Sequence, residues 1–294
     1  MSLVACEELR KERCGLAAAP AKPLLSPPCS EMETTDYMCL ILLAVDSHPQ
    51  YSLVVAANRD EFHARPTRPL QQWPEAPQLW AGKDLTAGGT WLGLTRAGRF
   101  AAVTNAREAT APAQPRSRGR LTLDFLLGTD APADYAAKIA REGAHYAGFN
   151  LLVGDRTGLY YCSNGEPAAR GPHRLAPGIY GIANASLDTP WPKVESGKTD
   201  LHDLLQDEPT PAALLELVAA PAETAVPLPG LSMEAMTEHL QATRFINSNT
   251  YGTRASTALL LARTGAATLW EQSFSSGGAP AQLSKFHWQL DAAI

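Results

Sequence analysis

Met38-Cys39-Leu40-Ile41-Leu42-Leu43-Ala44-Val45, then a polar connection with Asp46, Ser47 and Pro49, then Tyr51-Ser52-Leu53-Val54-Val55-Ala56-Ala57-Asn58-Arg59-Asp60-Glu61-Phe62: the fold turns on this stretch. Both apolar runs are short and bounded by turn-forming residues, the pattern of two paired strands and not of a long helix. The first run begins on a cysteine directly after a methionine. The second ends in an Asn-Arg-Asp-Glu cluster, expected where the strand runs out. A hairpin returns that cluster to the neighbourhood of Cys39. A candidate nucleophile and a charged, hydrogen-bonding group then meet at one edge of one sheet.

The same strand-turn-strand pattern recurs further along. Thr90 to Thr95 and Arg99 to Thr104 flank a turn at Arg96-Ala97-Gly98. Asn150 to Asp155 and Leu159 to Ser163 flank Arg156-Thr157-Gly158. Ser256 to Arg263 and Ala266 to Gln272 flank Thr264-Gly265. Glycine at the last turn position supplies positive φ at little steric cost. Four such hairpins predict antiparallel sheets of about eight strands. Helical pattern falls between the hairpins, at Leu121 to Leu127, Ala133 to His145, Pro211 to Ala219 (with Thr210 as N-cap) and Ser232 to Gln241. Helices do not follow each strand, so the expected class is α+β in one domain, two antiparallel sheets covered by helices. Residues 63–88 and 105–119 read as proline-rich and polar loops of the kind that often carry function.

The 294 residues are 45% hydrophobic, enough for a large core. A net charge of -5 argues against a nucleic-acid binder and a polybasic membrane anchor. No apolar run approaches the roughly 20 residues of a membrane span. Cys6, Cys14, Cys29, Cys39 and Cys162 form no Cys-x-x-Cys pair, and the histidines show no metal-ligand spacing. The expectation is a reducing, cytoplasmic setting with no metal and no cofactor. Residues 1–37 carry a Pro/Ala-rich tract, Ala17 to Pro28, and no strand or helix period. They read as a disordered leader, or as a segment never made because translation starts at Met38. The domain proper is then 38–294.

If Met38 is the first residue made, its removal gives Cys39 a free α-amine. That amine has a reference pKa of ~7.7–8.0 and the thiol ~8.5, so a proton can pass between them at neutral pH without a histidine. This is the logic of a terminal nucleophile that carries its own base. The bland reading of Cys39 is a small buried hydrophobe at a strand start.

Met38-Cys39, Asn58-Arg59-Asp60-Glu61-Phe62, Gly88-Gly89-Thr90-Trp91-Leu92-Gly93, Thr104-Asn105-Ala106-Arg107, Ser117-Arg118-Gly119, Gly181-Ile182-Ala183-Asn184-Ala185, Leu187-Asp188-Thr189-Pro190-Trp191-Pro192-Lys193 and Tyr251-Gly252-Thr253-Arg254 together resemble the NRDE family. That family is also named for transport and Golgi organisation protein 2. The resemblance covers about residues 38–290 and leaves 1–37 without a counterpart. The family in turn is similar to the N-terminal-nucleophile hydrolases, which implies a four-layer αββα sandwich. Within that group it resembles the cysteine amidases, and the positions matching their sites are Cys39, Arg59, Asp60, Asn105, Asn184 and Arg254. In those amidases two residues separate the arginine from the aspartate. Here they are adjacent, leaving open whether Asp60 or Glu61 faces the amine.

Each residue type suits such a role. Asp60 would orient the ammonium formed when the amine takes the thiol proton; its bland reading is a turn acid. Arg59 would lower the thiol pKa or grip a substrate carboxylate, and otherwise pairs with Asp60 or Glu61. Asn105 and Asn184 would donate to an oxyanion, and otherwise cap turns. Arg254 would hold an anionic group, and otherwise forms a structural ion pair. Arg116, Arg118 and Arg120 read as a solvated helix start, and Trp191-Pro192-Lys193 as packing around Asn184. Two functions follow from the resemblance: a cysteine hydrolase of a non-peptide C–N bond, or a non-catalytic carrier for haem or for a lipid or acyl-CoA. Both imply a small-molecule ligand with an anionic group.

Overall fold

The computed structural model describes residues 39–106, 112–165, 171–219 and 233–292. The leader expected over 1–37 and Arg107 lie outside the described residues. Along the chain run β1 (Leu40–Val45), β2 (Tyr51–Phe62), β3 (Thr67–Trp73), β4 (Ala76–Asp84), β5 (Leu92–Thr95) and β6 (Phe100–Asn105). Helices α1 (Arg118–Leu127) and α2 (Pro132–Glu142) follow, then β7 (Phe149–Asp155), β8 (Gly158–Ser163), β9 (His173–Arg174) and β10 (Gly178–Ile182). Helices α3 (Pro192–Leu204), α4 (Pro211–Ala219) and α5 (Met233–Ala242) precede β11 (Tyr251–Ala262), β12 (Ala266–Phe274) and β13 (Pro280–Gln289).

The strands form two antiparallel sheets. One has six strands in the order β10-β1-β2-β11-β12-β13; the other has seven, β3 to β9 in chain order. Three apolar layers separate four structural layers. Ile41, Leu43, Val55, Leu94, Phe100 and Leu259 belong to the core between the sheets. Leu40, Leu42, Val54 and Ala56 pack with Val194, Leu201 and Leu214 of α3 and α4. Leu121, Phe125 and Ile139 of α1 and α2 pack with Ala101, Leu151 and Val153 of the second sheet. The arrangement is αββα. It explains why β1 reads as an unbroken apolar run: odd residues feed one core and even residues the other. Each fully buried leucine contributes about 1.5–3 kcal/mol.

The four expected hairpins form, with Gly98 and Gly265 in their turns at φ 85° and 87°. Two expectations are corrected and one helix is added. Residues 63–88 are not one long loop but contain the β3–β4 hairpin. Pro69 hid it: proline cannot donate to a ladder, yet β3 is an edge strand and its register shifts between Arg68 and Gln71, around the proline. The strands number thirteen among the described residues, not about eight. Residues 192–204 form α3, opened by Pro192 in its first turn. Among the described residues no helix is long and apolar enough to cross a membrane.

Candidate active site

β2 continues through Phe62, so the Asn58 to Glu61 cluster lies within a strand instead of after one. Alternation then divides it between two faces. Asn58 points to the helix side, donating to Val218 O (2.7 Å) and Arg244 O (2.8 Å) and accepting from Ser256 Oγ (2.6 Å). Asp60 shares that face. Arg59 and Glu61 share the other and pair at 3.4 Å. Leu40 pairs with Asn58, so Cys39 stands one step further, opposite Arg59.

A cavity of about 320 Å³ opens there, lined by Cys39, Arg59, Asp60, Trp91, Asn105 and Arg116 among others. The Arg59 guanidinium lies 4.4 Å from the centre of the Trp91 ring. Glu61 also faces Arg65 (3.6 Å), which pairs with Asp84 at 2.7 Å. Glu61 is thus engaged between two arginines. Asp60 accepts from Thr253 Oγ1 at 2.6 Å through Oδ1, while its buried Oδ2 has no partner among the described residues. Asp60 is therefore the acid of the two that keeps an oxygen without a partner among the described residues. Arg116 and Arg118, expected as a solvated helix start, line the cavity wall with Ser117 and Gly119.

The Cys39 Sγ lies 3.9 Å from Asp60 O, its hydrogen-bond acceptor. Burial, then the Asp60 charge, pushes the thiol up to about 11, against the lowering effects of the Asp60 backbone bond and Arg59. The expected lowering by Arg59 is thus outweighed in a chain whose Cys39 nitrogen is peptide-bonded. Burial likewise raises Asp60 to about 7, opposed by Lys193, Thr253 and Arg59.

Asn184 and Arg254 do not line this cavity. Asn184 Nδ2 donates to Asn105 O at 3.2 Å, and its buried Oδ1 has no partner among the described residues. Arg254 is the extra residue of a β-bulge between the Thr253–Asp60 and Ala255–Arg59 pairs, and a bulge re-aims its side chain. Its Nη1 donates to the carbonyls of Phe62 (2.8 Å), His63 (3.2 Å) and Arg65 (3.1 Å), and Nη2 to Thr67 Oγ1 (3.3 Å). Those donors organise the chain between β2 and β3.

Sequence reasoning passed over three groups. Thr253 anchors Asp60. Asn150, fully buried, donates to Thr104 Oγ1 (3.1 Å) and Ala185 O (2.8 Å) and accepts from Tyr161 OH (2.7 Å), tying the Asn184 loop to the second sheet. Lys193, at the start of α3, is 0% exposed, and its Nζ has no hydrogen-bond partner among the described residues. Only its place in the Trp191-Pro192-Lys193 motif marked it. Among the described residues no group of three or more His, Cys, Asp and Glu is arranged to hold a metal.

Residues 38–276 match the sequence profile of the family described as Transport and Golgi organisation 2. A Bos taurus protein named Transport and Golgi organization protein 2 homolog is 34% identical over 256 residues, covering 80% of this chain and 93% of that protein. The Drosophila melanogaster protein named Transport and Golgi organization protein 2 is 28% identical over 187 residues, covering 58% of this chain and 65% of its own. Among solved structures, penicillin V acylase from Agrobacterium tumefaciens aligns with a TM-score of 0.42 at 12% identity, covering 86% of each chain.

Proposed function

The chain belongs to the Transport and Golgi organisation 2 family, and we propose that it hydrolyses a non-peptide C–N bond at the Cys39 cavity. The observation that carries this reading is that Cys39 and Asp60 line one cavity, with the Cys39 Sγ 3.9 Å from Asp60 O and the Asp60 Oδ2 left without a partner among the described residues. Removal of the residues before Cys39 frees an α-amine. The amine takes the thiol proton, and Asp60 receives the resulting ammonium. The thiolate forms a bond to the acyl carbon, and Asn105 donates to the developing oxyanion, with Asn184 holding Asn105. The C–N bond breaks as the ammonium returns its proton to the leaving amine, and water then hydrolyses the thioester. Arg59, Arg65 and Arg116 suit an anionic group on the substrate.

One observation favours a second reading, a carrier for haem or for a lipid or acyl-CoA. The thiol held up to about 11 is protonated at neutral pH while Cys39 is peptide-bonded, whereas the arginines lining the cavity suit an anion without any part for the sulfur. The test uses a chain starting at Met38, its first residue checked by intact mass. N-acyl amino acids, acyl-CoA and haem are each assayed for binding and for product release, with wild type and Cys39→Ala. The hydrolase reading expects turnover that Cys39→Ala abolishes while binding persists. Tight binding with no product over many hours, unchanged in Cys39→Ala, leaves the carrier reading standing.

A further inference from the structure

The end of β2 lies against β11, and two of its side chains on the helix side each take a hydrogen bond from a β11 hydroxyl. Ser256 Oγ donates to Asn58 Oδ1 and Thr253 Oγ1 to Asp60 Oδ1, both at 2.6 Å. The two acceptors differ in what is left over. Asn58 also donates to Val218 O and Arg244 O, so each of its side-chain polar atoms is engaged. Asp60 keeps Oδ2, buried and without a partner among the described residues.

The Thr253 hydroxyl has little freedom. Thr253 is 0% exposed. Its Oγ1 accepts from Ile246 N at 2.9 Å, and its own N donates to Ile246 O at 2.8 Å. That N–H occupies a lone pair of Oγ1, so the hydroxyl proton points the other way, to Asp60. Gly252 permits the close approach: a Cβ there would stand 2.6 Å from Ile246 O, a backbone atom that cannot step aside. The Gly252-Thr253 pair of the Tyr251-Gly252-Thr253-Arg254 motif thus clamps Ile246 and aims one hydroxyl.

We propose that Thr253 is a positioning residue of the Cys39 site, holding the Asp60 carboxylate ionised and fixed so that Oδ2 stays open to the ammonium of a terminal Cys39. The inference rests on the hydrolase reading for that ammonium alone. In the step it serves, the Cys39 S–H proton passes to the α-amine, giving thiolate and ammonium, and an N–H of the ammonium donates to Asp60 Oδ2. No covalent bond to Thr253 forms or breaks. Burial raises Asp60 to about 7, while the charge of Lys193, the Thr253 hydrogen bond and the charge of Arg59 oppose the rise. Without the hydroxyl, Asp60 takes up its proton at a higher pH, and a neutral acid is a poor partner for an ammonium. Other titratable groups stand on β2 and the elements packed against it: Tyr51 and Glu61 on β2, Tyr251 and Arg254 on β11, Glu216 on α4. None of these is among the groups whose charge Asp60 feels.

The test labels Cys39 with iodoacetamide across pH 5 to 9, followed by peptide mapping. Two chains are compared, each checked by intact mass. One starts at Met38 and loses it, so that Cys39 carries the α-amine; the other is the full chain, in which that nitrogen is peptide-bonded. In the first, the wild-type rate should fall as pH drops through the Asp60 value of about 7. Thr253→Val should move that fall up by about one pH unit and label roughly fivefold more slowly at pH 7. Thr253→Ser keeps the donor and should restore the wild-type profile. In the full chain the Asp60 charge opposes the thiolate, so Thr253→Val should leave labelling unchanged or speed it. A wild-type rate without that fall overturns the proposal, and so does Thr253→Val with the wild-type profile in the Met38-start chain. Slowing by the same factor in both chains, the mark of a merely structural role, overturns it too, as does failure of Thr253→Ser to restore the profile. Protection of buried Cys162 reports folding. If Thr253→Val exposes it, Thr253→Ala takes its place under the same criteria. If both expose it, Thr253→Ser decides, and a fall displaced from the wild-type position overturns the proposal. No substrate enters this experiment. A chain that labels as expected but releases no product in the turnover assay keeps Thr253 and loses the hydrolase; turnover with labelling indifferent to Thr253→Val does the reverse.

Discussion

Arg254 and Lys193 both lie beside the Asn58 to Phe62 end of β2, and their surroundings are opposite. Arg254 is half-buried and its guanidinium donates to three carbonyls and a hydroxyl. Lys193 is fully buried and its ammonium donates to nothing among the described residues. A guanidinium with satisfied donors has been built into the fold. An ammonium without them carries a burial cost that no hydrogen bond offsets. The contrast teaches that a charge's hydrogen-bond accounting, more than its burial, separates a cation that holds the fold together from one that strains it.

Substitution to methionine tests that contrast most sharply, because the two effects have opposite sign. Arg254→Met leaves carbonyls of the β2–β3 connection unpaired and should cost on the order of 3–5 kcal/mol in urea unfolding. Lys193→Met replaces a cation without hydrogen-bond partners with an apolar chain of similar length; the lost attraction to Asp60 offsets part of the gain, so it should stabilise by on the order of 1 kcal/mol at pH 7. The folded-state pKa of Lys193, about 8, lies below its ordinary 10.5, so its cost is fully present below pH 8 and fades as pH rises to 10.5. The advantage of the methionine should fade over the same window. Destabilisation by both substitutions would break the comparison.

Buried acids carry the contrast one step further. Asp60 and Glu271 are both raised to about 7 by burial, but only Asp60 has an unpartnered oxygen among the described residues. Glu271 accepts from Leu70 N at 2.6 Å and from Thr257 Oγ1 at 3.4 Å. A glutamine can keep both contacts. The folded pKa is raised above the ordinary 4.5, so the charged form is penalised: the cost is absent below pH 4.5 and complete once pH passes about 7. Glu271→Gln should therefore match wild type at pH 4 and exceed its stability at pH 8 by on the order of 2 kcal/mol. Equal stability across that range would remove Glu271 from the set of strained buried charges.

How legible these features were in the sequence follows from the same physics. The β1–β2 hairpin was plain because both strands are buried on two faces and bounded by turn residues. The strand β3 was hidden by Pro69 at a sheet edge. Helix α3 was hidden by Gly197, a poor helix former that packing requires: an added Cβ would stand 2.6 Å from Leu42 Cδ1. Cys39, Arg59 and Asp60 could be brought together from the local register of the β1–β2 hairpin, whereas Asn105, in the other sheet, was named only through the family resemblance. Arg254 was placed near the site, but its donors were aimed by a bulge that no alternation pattern reveals. Lys193 was passed over because Trp191-Pro192-Lys193 read as packing around Asn184, and its burial comes from the packing of α3 on β1, β10, α4 and α5, which no local pattern reveals.

The smallest expected effect concerns the arginines flanking Gly119. Arg118 and Arg120 are two positions apart on a helix, so they cannot share a face. Arg118 lines the cavity and donates to Gly148 O at 3.0 Å. Arg120 is 52% exposed and pairs with Asp124 at 2.7 Å. That pair is worth little: it is solvated, the arginine precedes the acid at i,i+4, which is the weaker orientation, and a cation in the first turn opposes the helix dipole. Arg120→Ala should therefore change stability by less than about 0.5 kcal/mol in either direction and leave Cys39 labelling unchanged. Arg118→Ala, by contrast, should weaken binding of any anionic ligand that the Met38-start chain retains. An Arg120→Ala loss as large as that of Arg254→Met would mean that the number of satisfied donors does not rank the cations of this protein, and the distinction drawn between Arg254 and Lys193 would lose its basis.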